Sequence, residues 1–264
     1  MKKLGFIGMG NMASAILLGA VRSGFLKGEE TVAYDLNGFK LDSMNKACGM
    51  ARAASTEEVI ADSEIVLLAV KPKAVENILA EQRERLKGKT LLSIAAGWQY
   101  SRLRRLLDTS THICAIMPNT PALVGEGCTA FCGNAGVGEA EYELAARIFD
   151  CCGTSFQVSE SLMDTVGAVS GSSPAYVFMF MEAMADAAVA GGMPRALAYR
   201  MAGQAVLGSA KLMLETGEHP GVLKDMVCSP AGTTICGVKV LEERGMKAAV
   251  MGALEACIER SRKI

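Results

Sequence analysis

The hydrophobic positions near the start of the chain change their spacing once. Leu4 to Ile7 is a continuous apolar run, and the apolar residues from Ile16 to Val21 then recur at positions that share one face of a helix. Between them lie Gly8 to Ala13, and Gly24 ends the helical segment. The pattern predicts a strand, a tight turn and a helix.

The predicted turn, Gly8-Met9-Gly10-Asn11-Met12-Ala13, has the form G-x-G-x-x-A. In this form the first glycine permits the turn, the second lets a pyrophosphate approach the backbone, and the small third residue lets helix pack on strand. The helix N-terminus adds free N–H groups and a positive dipole end. We therefore expect dinucleotide binding, although glycine-rich turns also occur for packing alone.

Strand and helix patterns alternate as far as residue 158. The continuous run Ile65 to Val70 is typical of a strand buried on both faces of a parallel sheet. The other predicted strands are Thr31–Tyr34, Thr90–Ile94, Ile113–Met117, Cys128–Cys132 and Thr154–Val158, and the predicted helices between them include Ala74–Leu86, Ser101–Leu107 and Ala140–Phe149. This alternation predicts an α/β fold with an N-terminal Rossmann-type dinucleotide-binding domain over residues 1–160.

From Ser161 onward the pattern is helical throughout. The clearest segments are Leu162–Val169, Ala175–Ala190, Ala196–Leu214 and Met246–Arg262, and their faces are rich in Ala, Gly and Met. A helix that is apolar around most of its circumference must be covered on most sides. About a hundred helical residues of one protomer cannot supply that cover. We therefore expect an all-helical C-terminal dimerisation domain over residues 161–264 and a homodimer with interlocked helices.

Composition and charge narrow the choice of partners. The chain has 264 residues, a net charge of -1 and no basic cluster, so it has no electrostatic basis for binding a nucleic acid or an anionic membrane. The longest apolar run, Ala175 to Met193, is interrupted by Glu182 and Asp186, which favours a buried or interfacial helix over a membrane span. The N-terminus lacks the features of a signal peptide. We expect a cytoplasmic protein.

The cysteines predict neither disulfides nor a metal site. There are nine, an odd number, they are scattered, and no two form a C-x-x-C pair. Only two histidines, His112 and His219, could add to a metal site. Small buried hydrophobes in a reducing compartment are the simpler interpretation.

Asp35 stands at the end of the second predicted strand. A carboxylate there can accept hydrogen bonds from the adenosine ribose hydroxyls, which favours NADH, or it can simply begin a turn with Asn37-Gly38. Asn37 and Lys40 are close enough in sequence to bind a 2′-phosphate instead, which would favour NADPH. These residues leave the choice of cofactor open.

Other segments after the predicted strands point to the same sheet edge. Val70-Lys71-Pro72 should form an extended lip, because a residue before proline avoids the α region, and Ala95-Ala96-Gly97 forms another small-residue turn. Pro118-Asn119-Thr120-Pro121 is either a plain turn or part of the crevice. Ser55 to Glu58 resembles a capping box that opens a short helix.

Two motifs in the helical half contain candidate chemistry. In Val169 to Tyr176, Ser173 is expected to cap the helix that Pro174 begins, and no histidine or lysine nearby could activate a nucleophilic serine. In Pro220 to Thr234, Ser229-Pro230 predicts another helix start, whose first turn contains a glycine and two threonines. These are poor helix formers, so we expect a receptor for a small carboxylate there, with capping alone as the alternative.

Together the motifs closely resemble those of the pyrroline-5-carboxylate reductase family, which catalyses the last step of proline biosynthesis. The Asp225–Thr234 stretch is the family's specific signature. It departs from the family at Ala231, where a glycine is usual, and Asp35 is not a fixed family feature. The matching segments span essentially the whole chain: Gly5–Ala13, Ala69–Pro72, Met117–Pro121, Val169–Tyr176 and Asp225–Thr234.

The resemblance implies reduction of a cyclic imino acid to L-proline by hydride transfer, with NADPH as cofactor and NADH possible. It implies a homo-oligomer built from dimers, with the helix bundle of a second subunit closing the substrate pocket. Thr234 is expected to be catalytic through a hydrogen bond to the ring nitrogen. The implied substrate residues are Val227, Ser229, Gly232, Thr233, Thr234 and Ser170. The expected cofactor residues are Gly8, Gly10, Asn11, Met12, Asp35, Asn37, Ser55, Val70, Lys71, Pro72, Ala95, Ala96 and Asn119.

Two alternatives remain at this point. A β-hydroxyacid dehydrogenase has a related two-domain layout, but that family needs a catalytic lysine shortly after its second glycine-rich motif, and Ser172 to Val177 contains none. A nucleotide-sensing protein on the same fold would bind the cofactor without turnover, because a fold alone does not determine function.

Overall fold

A computed structural model describes residues 1–132 and 139–263. Its first part alternates strands and helices. In chain order these are β1 (Lys2–Ile7), α1 (Asn11–Arg22), β2 (Thr31–Tyr34), α2 (Gly38–Cys48), β3 (Ala51–Arg52), α3 (Thr56–Asp62), β4 (Ser63–Leu68), α4 (Pro72–Gln82), β5 (Thr90–Ser93), α5 (Tyr100–Leu106), β6 (His112–Met117), β7 (Gly127–Cys132), α6 (Glu139–Asp150) and β8 (Gly153–Val158).

The second part is helical. It begins with α7 (Met163–Val166), which continues as a π-helical segment, Gly167–Ser172, into α8 (Ser173–Ala190). The remaining helices are α9 (Arg195–Thr216), α10 (Pro220–Val227), α11 (Thr233–Glu243) and α12 (Met246–Ser261). The expected α/β fold followed by helices is therefore confirmed.

The strands form a single sheet, which has eight strands within the described ranges, in the order β3-β2-β1-β4-β5-β6-β7-β8. β1 to β6 pair in parallel, whereas β7 is antiparallel to β6 and parallel to β8. The strand order reverses between β1 and β4. Open α/β sheets bind their ligands outside the carboxyl ends of the strands at such a point.

The central strands are buried on both faces, which explains their continuous apolar sequences. On one face Phe6 and Leu67 join a cluster with Ile16 and Leu17 of α1. On the other face Leu68 packs in a second cluster, which includes residues of α3, α4 and α5. A fully buried leucine, isoleucine or phenylalanine contributes roughly 1.5–3 kcal/mol to folding. The well-packed sheet thus fixes the positions of the loops at its carboxyl edge.

The chain divides into two compact units. One comprises Met1–Gly171 with the last residues from Arg260, and the other comprises Ser172–Glu259. These units come from the packing of one protomer, and the boundary between residues 160 and 161 stays a prediction. Among the described residues no helix is long and apolar enough to cross a lipid bilayer.

The helical unit buries very little of its own apolar surface. Its fully buried side chains are those of Ala185, Ala198 and Ala202. Large apolar side chains are exposed on α8, where Phe178 is 61% and Met179 is 68% exposed. Others are exposed on α9, α10, α11 and α12. Exposed apolar side chains in this number are typical of a protein–protein interaction surface.

Two expected helix starts are wrong. Ser173 does not cap α8, because the π-helical segment continues into it: Ser172, at the cap position, has helical backbone angles and makes no side-chain cap bond. Ser229-Pro230 does not open a helix either. α11 begins at Thr233 with Gly232 at its N-cap, and the residues before it form a turn.

Candidate functional site

The glycine turn after β1 needs Gly8 for its own geometry. Gly8 has a φ of 94°, in the region that favours glycine, and a Cβ there would lie 2.6 Å from the carbonyl oxygen of Ala69. The Gly8 N–H donates to the Tyr34 carbonyl at 2.8 Å, which extends the pairing of β1 and β2 into the turn. The first glycine of the motif is therefore a folding requirement.

Gly10 differs from Gly8, because neither its backbone angles nor any nearby protein atom requires a glycine. It is the N-cap of α1 with extended backbone angles and no side-chain cap, and a Cβ there would meet no atom within 4 Å. The first turn of α1 contains no acidic residue. Asn11 is exposed and Met12 is half-buried at this helix start. An open space before an uncapped, unneutralised helix N-terminus suits a phosphate group.

The carboxylate of Asp35 braces the glycine turn. One oxygen accepts the Met9 N–H at 2.6 Å and the other accepts the Asn37 N–H at 2.8 Å. The side chain of Asn37 in turn caps α2 by accepting the Phe39 N–H at 3.1 Å. Asp35 thus takes the turn-forming role that the sequence offered, and a further bond to a ribose hydroxyl stays a prediction.

The predicted lip after β4 is extended at Lys71, but the helix begins at Pro72, two residues before the expected start at Ala74. Ala69 still donates to the Ile7 carbonyl at 2.8 Å, Lys71 has extended angles, and Pro72 begins α4. The Trp98 indole donates to the Pro72 carbonyl at 3.0 Å, so the loops after β4 and β5 are joined. On the β5 side Ala95 is buried and Ala96 is exposed.

Three polar side chains that were predicted to bind the cofactor or the substrate form hydrogen bonds within the protein. Buried Asn119 donates through Nδ2 to the Ser170 carbonyl at 2.9 Å and accepts the Cys128 N–H at 2.8 Å. The Ser170 hydroxyl donates to the Val166 carbonyl at 3.0 Å. Ser55 caps α3 by accepting the Glu58 N–H at 3.3 Å, as the capping-box pattern predicts. The ligand roles of Asn119, Ser170 and Ser55 stay predictions.

The three buried thiols, those of Cys114, Cys132 and Cys152, are not candidates for catalysis. Burial raises the pKa of Cys114 to about 12, and it raises the pKa of Cys132 and of Cys152 to about 11. A cysteine is a nucleophile only as the thiolate, which these groups do not form near neutral pH. Within residues 1–132 and 139–263, no cluster of His, Cys, Asp and Glu is placed to hold a metal ion.

In the helical unit, α10 leads into the signature stretch. His219 caps α10 by accepting the Gly221 N–H at Nδ1, at 3.0 Å, and Pro220 occupies the first turn. This cap was not predicted from the sequence, although a proline at the first helical position is a recognised helix-start signal. Val227 is the last residue of α10 and is exposed.

A β-turn over residues 229–232, called the 229–232 turn below, connects α10 to α11. The Gly232 N–H donates to the Ser229 carbonyl at 3.0 Å, with Pro230 and Ala231 as the central residues. Gly232 offers α11 no side-chain cap, and Thr233 and Thr234 are exposed in its first turn, which contains no acidic residue. This uncapped helix start, flanked by hydroxyls, suits a small carboxylate.

Ala231 carries backbone strain in this turn. Its φ of 58° is the only positive φ at a non-glycine residue among the residues described. We expect Ala231→Gly to raise the free energy of unfolding by roughly 0.5–1 kcal/mol, because relief of the left-handed strain exceeds the entropy that glycine adds to the unfolded chain. Urea denaturation at one fixed protein concentration measures this.

The matched control for Ala231→Gly is Ala80→Gly, at an exposed position of α4 with ordinary helical geometry. There the same substitution should lower the free energy of unfolding by roughly 0.5–1 kcal/mol. Two changes of the same sign would contradict the assignment of strain to Ala231.

Comparison with known proteins covers the whole chain. A family model described as pyrroline-5-carboxylate reductase dimerisation matches residues 160–264, and one described as NADP oxidoreductase coenzyme F420-dependent matches residues 3–97. The pyrroline-5-carboxylate reductase of Escherichia coli strain K12 is 49% identical over 264 residues, which cover 100% of this chain and 98% of that protein.

Solved structures agree with the sequence comparison. A pyrroline-5-carboxylate reductase from Coxiella burnetii matches with a TM-score of 0.94 and 31% identity, over 99% of this chain and 98% of that one. The Plasmodium falciparum pyrroline carboxylate reductase, solved with NADP bound, matches with a TM-score of 0.89 and 33% identity, over 99% and 97%. With its glycine turn, its 229–232 turn and this full-length likeness, the chain belongs to the pyrroline-5-carboxylate reductase family.

Proposed function

We propose that this chain reduces 1-pyrroline-5-carboxylate to L-proline with NADPH, the last step of proline biosynthesis. The observation that carries the proposal is the uncapped start of α11, where the 229–232 turn leads into two exposed threonines. Membership of the reductase family supports the same reaction and weighs against the β-hydroxyacid dehydrogenase alternative. NADH is the second candidate cofactor.

The dinucleotide would be held at the carboxyl edge of the sheet. Gly8, Gly10, Asn11 and Met12 would hold the pyrophosphate, because the space before α1 is open and the first turn of that helix has no acidic residue. The remaining candidate residues would border the ribose and nicotinamide, and they are Asp35, Asn37, Ser55, Val70, Lys71, Pro72, Ala95, Ala96 and Asn119. When bound, the reduced nicotinamide supplies the hydride that converts the C=N bond to an amine.

The helical unit would hold the imino acid. The Gly232 N–H is already bonded to the Ser229 carbonyl, so Gly232 would only line the site. The N–H group at Thr233 would bind the carboxylate together with the Ser229 hydroxyl, and Thr234 would donate or accept a hydrogen bond at the ring nitrogen. Val227 and Ser170 are further candidates. A protonated imine already carries the proton that the product amine needs, so the chain does not have to supply a strong acid. Its residues then act mainly by positioning.

The assembly we propose is a homodimer, from which larger homo-oligomers can be built. The exposed apolar side chains of α8 to α12 support it, and so does the dimerisation model that matches residues 160–264. Residues 1–160 would then form the dinucleotide-binding domain, and residues 161–264 the dimerisation and substrate domain. The net charge of -1 and nine free cysteines favour a cytoplasmic enzyme without a nucleic-acid partner.

The reaction is tested by following NADPH oxidation at 340 nm with pyrroline-5-carboxylate as substrate and L-proline as the identified product. A parallel assay with NADH compares the two cofactors. A chain that binds NADPH but does not turn over the imine would contradict the proposal and favour a nucleotide-sensing protein.

Thr234→Ala should lower kcat/KM for pyrroline-5-carboxylate by roughly ten- to a hundredfold, the ~1.4–2.7 kcal/mol expected when a bound polar group loses its partner. The affinity for NADPH should stay the same. Thr216→Ala is the control, because the Thr216 hydroxyl bonds to the Leu212 carbonyl within α9. Equal losses for the two variants would indicate a general stability effect, and full activity of Thr234→Ala would exclude a catalytic role for this hydroxyl.

A further inference from the structure

The carboxyl end of β2 must distinguish NADPH from NADH, because the two cofactors differ only in a phosphate at the adenosine ribose 2′-oxygen. Asp35, the acid at this position, already accepts two backbone N–H groups, from Met9 and Asn37. Its carboxylate is therefore tied into the turn, and its negative charge does not favour a phosphate. A residue that selects NADPH has to come from elsewhere.

Arg52 is the arginine that the fold brings to this place. It lies on β3, the edge strand that pairs in parallel with β2, and it is in register with Ala33. Its Nη2 lies 3.7 Å from the point where a Cβ would project from Gly38, the first residue of α2. The guanidinium group thus lies beside Gly38, the first residue of α2, and close to the segment that follows Asp35.

The charge at this helix end favours an anion. The first turn of α2 contains no acidic residue, and Lys40 is exposed within it. Arg52 forms an ion pair with Asp42, and the two side chains are about half exposed, at 47% and 49%. An exposed ion pair of this kind is weak and easily exchanged. A phosphate dianion can replace Asp42 and form stronger, bidentate bonds with the guanidinium group.

We propose that Arg52 binds the 2′-phosphate of NADPH at the N-terminus of α2 and is the residue that selects NADPH over NADH. Asp42 holds the guanidinium group over the helix end until the phosphate takes its place. This assignment rests on the cofactor half of the proposed function and not on the identity of the imine.

The test is direct binding without any imine. Isothermal titration calorimetry should give a dissociation constant for NADPH and for 2′,5′-ADP that is about ten- to a hundredfold higher in Arg52→Ala than in the unmodified protein, as expected for a lost charge-assisted contact. The constant for NADH should change less than about twofold, because NADH lacks the phosphate. Arg85→Ala, at an exposed arginine after α4, is the control and should change none of the three.

Two further variants separate recognition from folding. Arg52→Gln keeps the length of the side chain but removes its charge, so it should reproduce the loss with a folded protein. Asp42→Asn breaks the ion pair and keeps the arginine, so NADPH and 2′,5′-ADP should bind as well as before or more tightly. Weaker binding of 2′,5′-ADP to Asp42→Asn, or equal losses for NADPH and NADH in Arg52→Gln, would overturn the proposal.

The outcome is independent of the catalytic assay. If Arg52→Gln loses 2′,5′-ADP but the unmodified protein does not reduce pyrroline-5-carboxylate, Arg52 keeps its assignment and the proposed reaction fails. If the protein reduces the imine and Arg52→Gln still prefers NADPH to NADH by the same factor, the reaction stands and the assignment of Arg52 is wrong.

Discussion

Gly10→Val should abolish measurable NADPH binding and leave the fold intact. A Cβ on Gly10 meets no protein atom within 4 Å, and the φ of −74° suits any residue, so we expect the folded chain to accept a side chain there. Its side chain would instead fill the space before α1, where the pyrophosphate needs to approach the N–H groups. We expect the dissociation constant for NADPH to rise by at least about a hundredfold, the effect of losing several charge-assisted bonds together. Calorimetry measures the affinity, and circular dichroism checks the fold.

Gly8→Ala is the contrasting control. A Cβ there would lie 2.6 Å from the Ala69 carbonyl oxygen, and the φ of 94° is unfavourable for alanine. This variant should lose roughly 2–4 kcal/mol of folding free energy, because the clash and the backbone strain act together. The two substitutions in one motif should thus have different effects: Gly10→Val lowers the affinity for NADPH, and Gly8→Ala lowers the folding free energy. Unchanged NADPH affinity in Gly10→Val would remove the glycine turn from the cofactor site.

A negative charge on the exposed apolar face of α8 should convert the protein into monomers or cause it to aggregate. Met179 is 68% exposed in one protomer, beside Phe178 at 61%. If a second copy covers this face, Met179→Glu buries an unpaired carboxylate at the interface, which costs several kcal/mol. Sedimentation velocity at micromolar concentration measures the change.

Met179 tests the interface more cleanly than Ala188, an alanine farther along the same helix. Ala188 is half-buried within its own protomer, so a glutamate there would also disturb packing inside one chain. Lys46→Glu, on the exposed face of α2, is the control and should leave the assembly unchanged. An unmodified protein that sediments as a stable monomer would contradict the homodimer.

The central strands of the sheet could be predicted because their burial on both faces leaves continuous apolar runs. The helix start at Ser229-Pro230 could not, because a serine followed by proline fits both a helix N-terminus and a β-turn. The structure has the β-turn, which the hydrogen bond from the Gly232 N–H to the Ser229 carbonyl closes. Ala231 has a positive φ in this turn, a conformation that is unusual for alanine and that the sequence does not indicate. The local preference of Ser-Pro for a helix N-terminus therefore predicted the wrong start for α11, which begins at Thr233.

The candidate site shows a second limit of sequence reasoning. The polar character of Asn119 suggested a ligand, yet its amide bonds to the Ser170 carbonyl and the Cys128 N–H, contacts that depend on tertiary packing. Arg52 was not identified at all. It lies on a strand of two residues, Ala51–Arg52, too short for any hydrophobic period, and only the register with β2 brings it to the end of α2.

The cap on α10 has a consequence for spectroscopy. Because Nδ1 of His219 accepts the Gly221 N–H, the neutral ring must carry its proton on Nε2, so the hydrogen bond selects one of the two imidazole tautomers. The ¹⁵N chemical shifts of a histidine distinguish these tautomers. With only two histidines in the chain, His219 is a native NMR reporter for the helix that leads into the 229–232 turn.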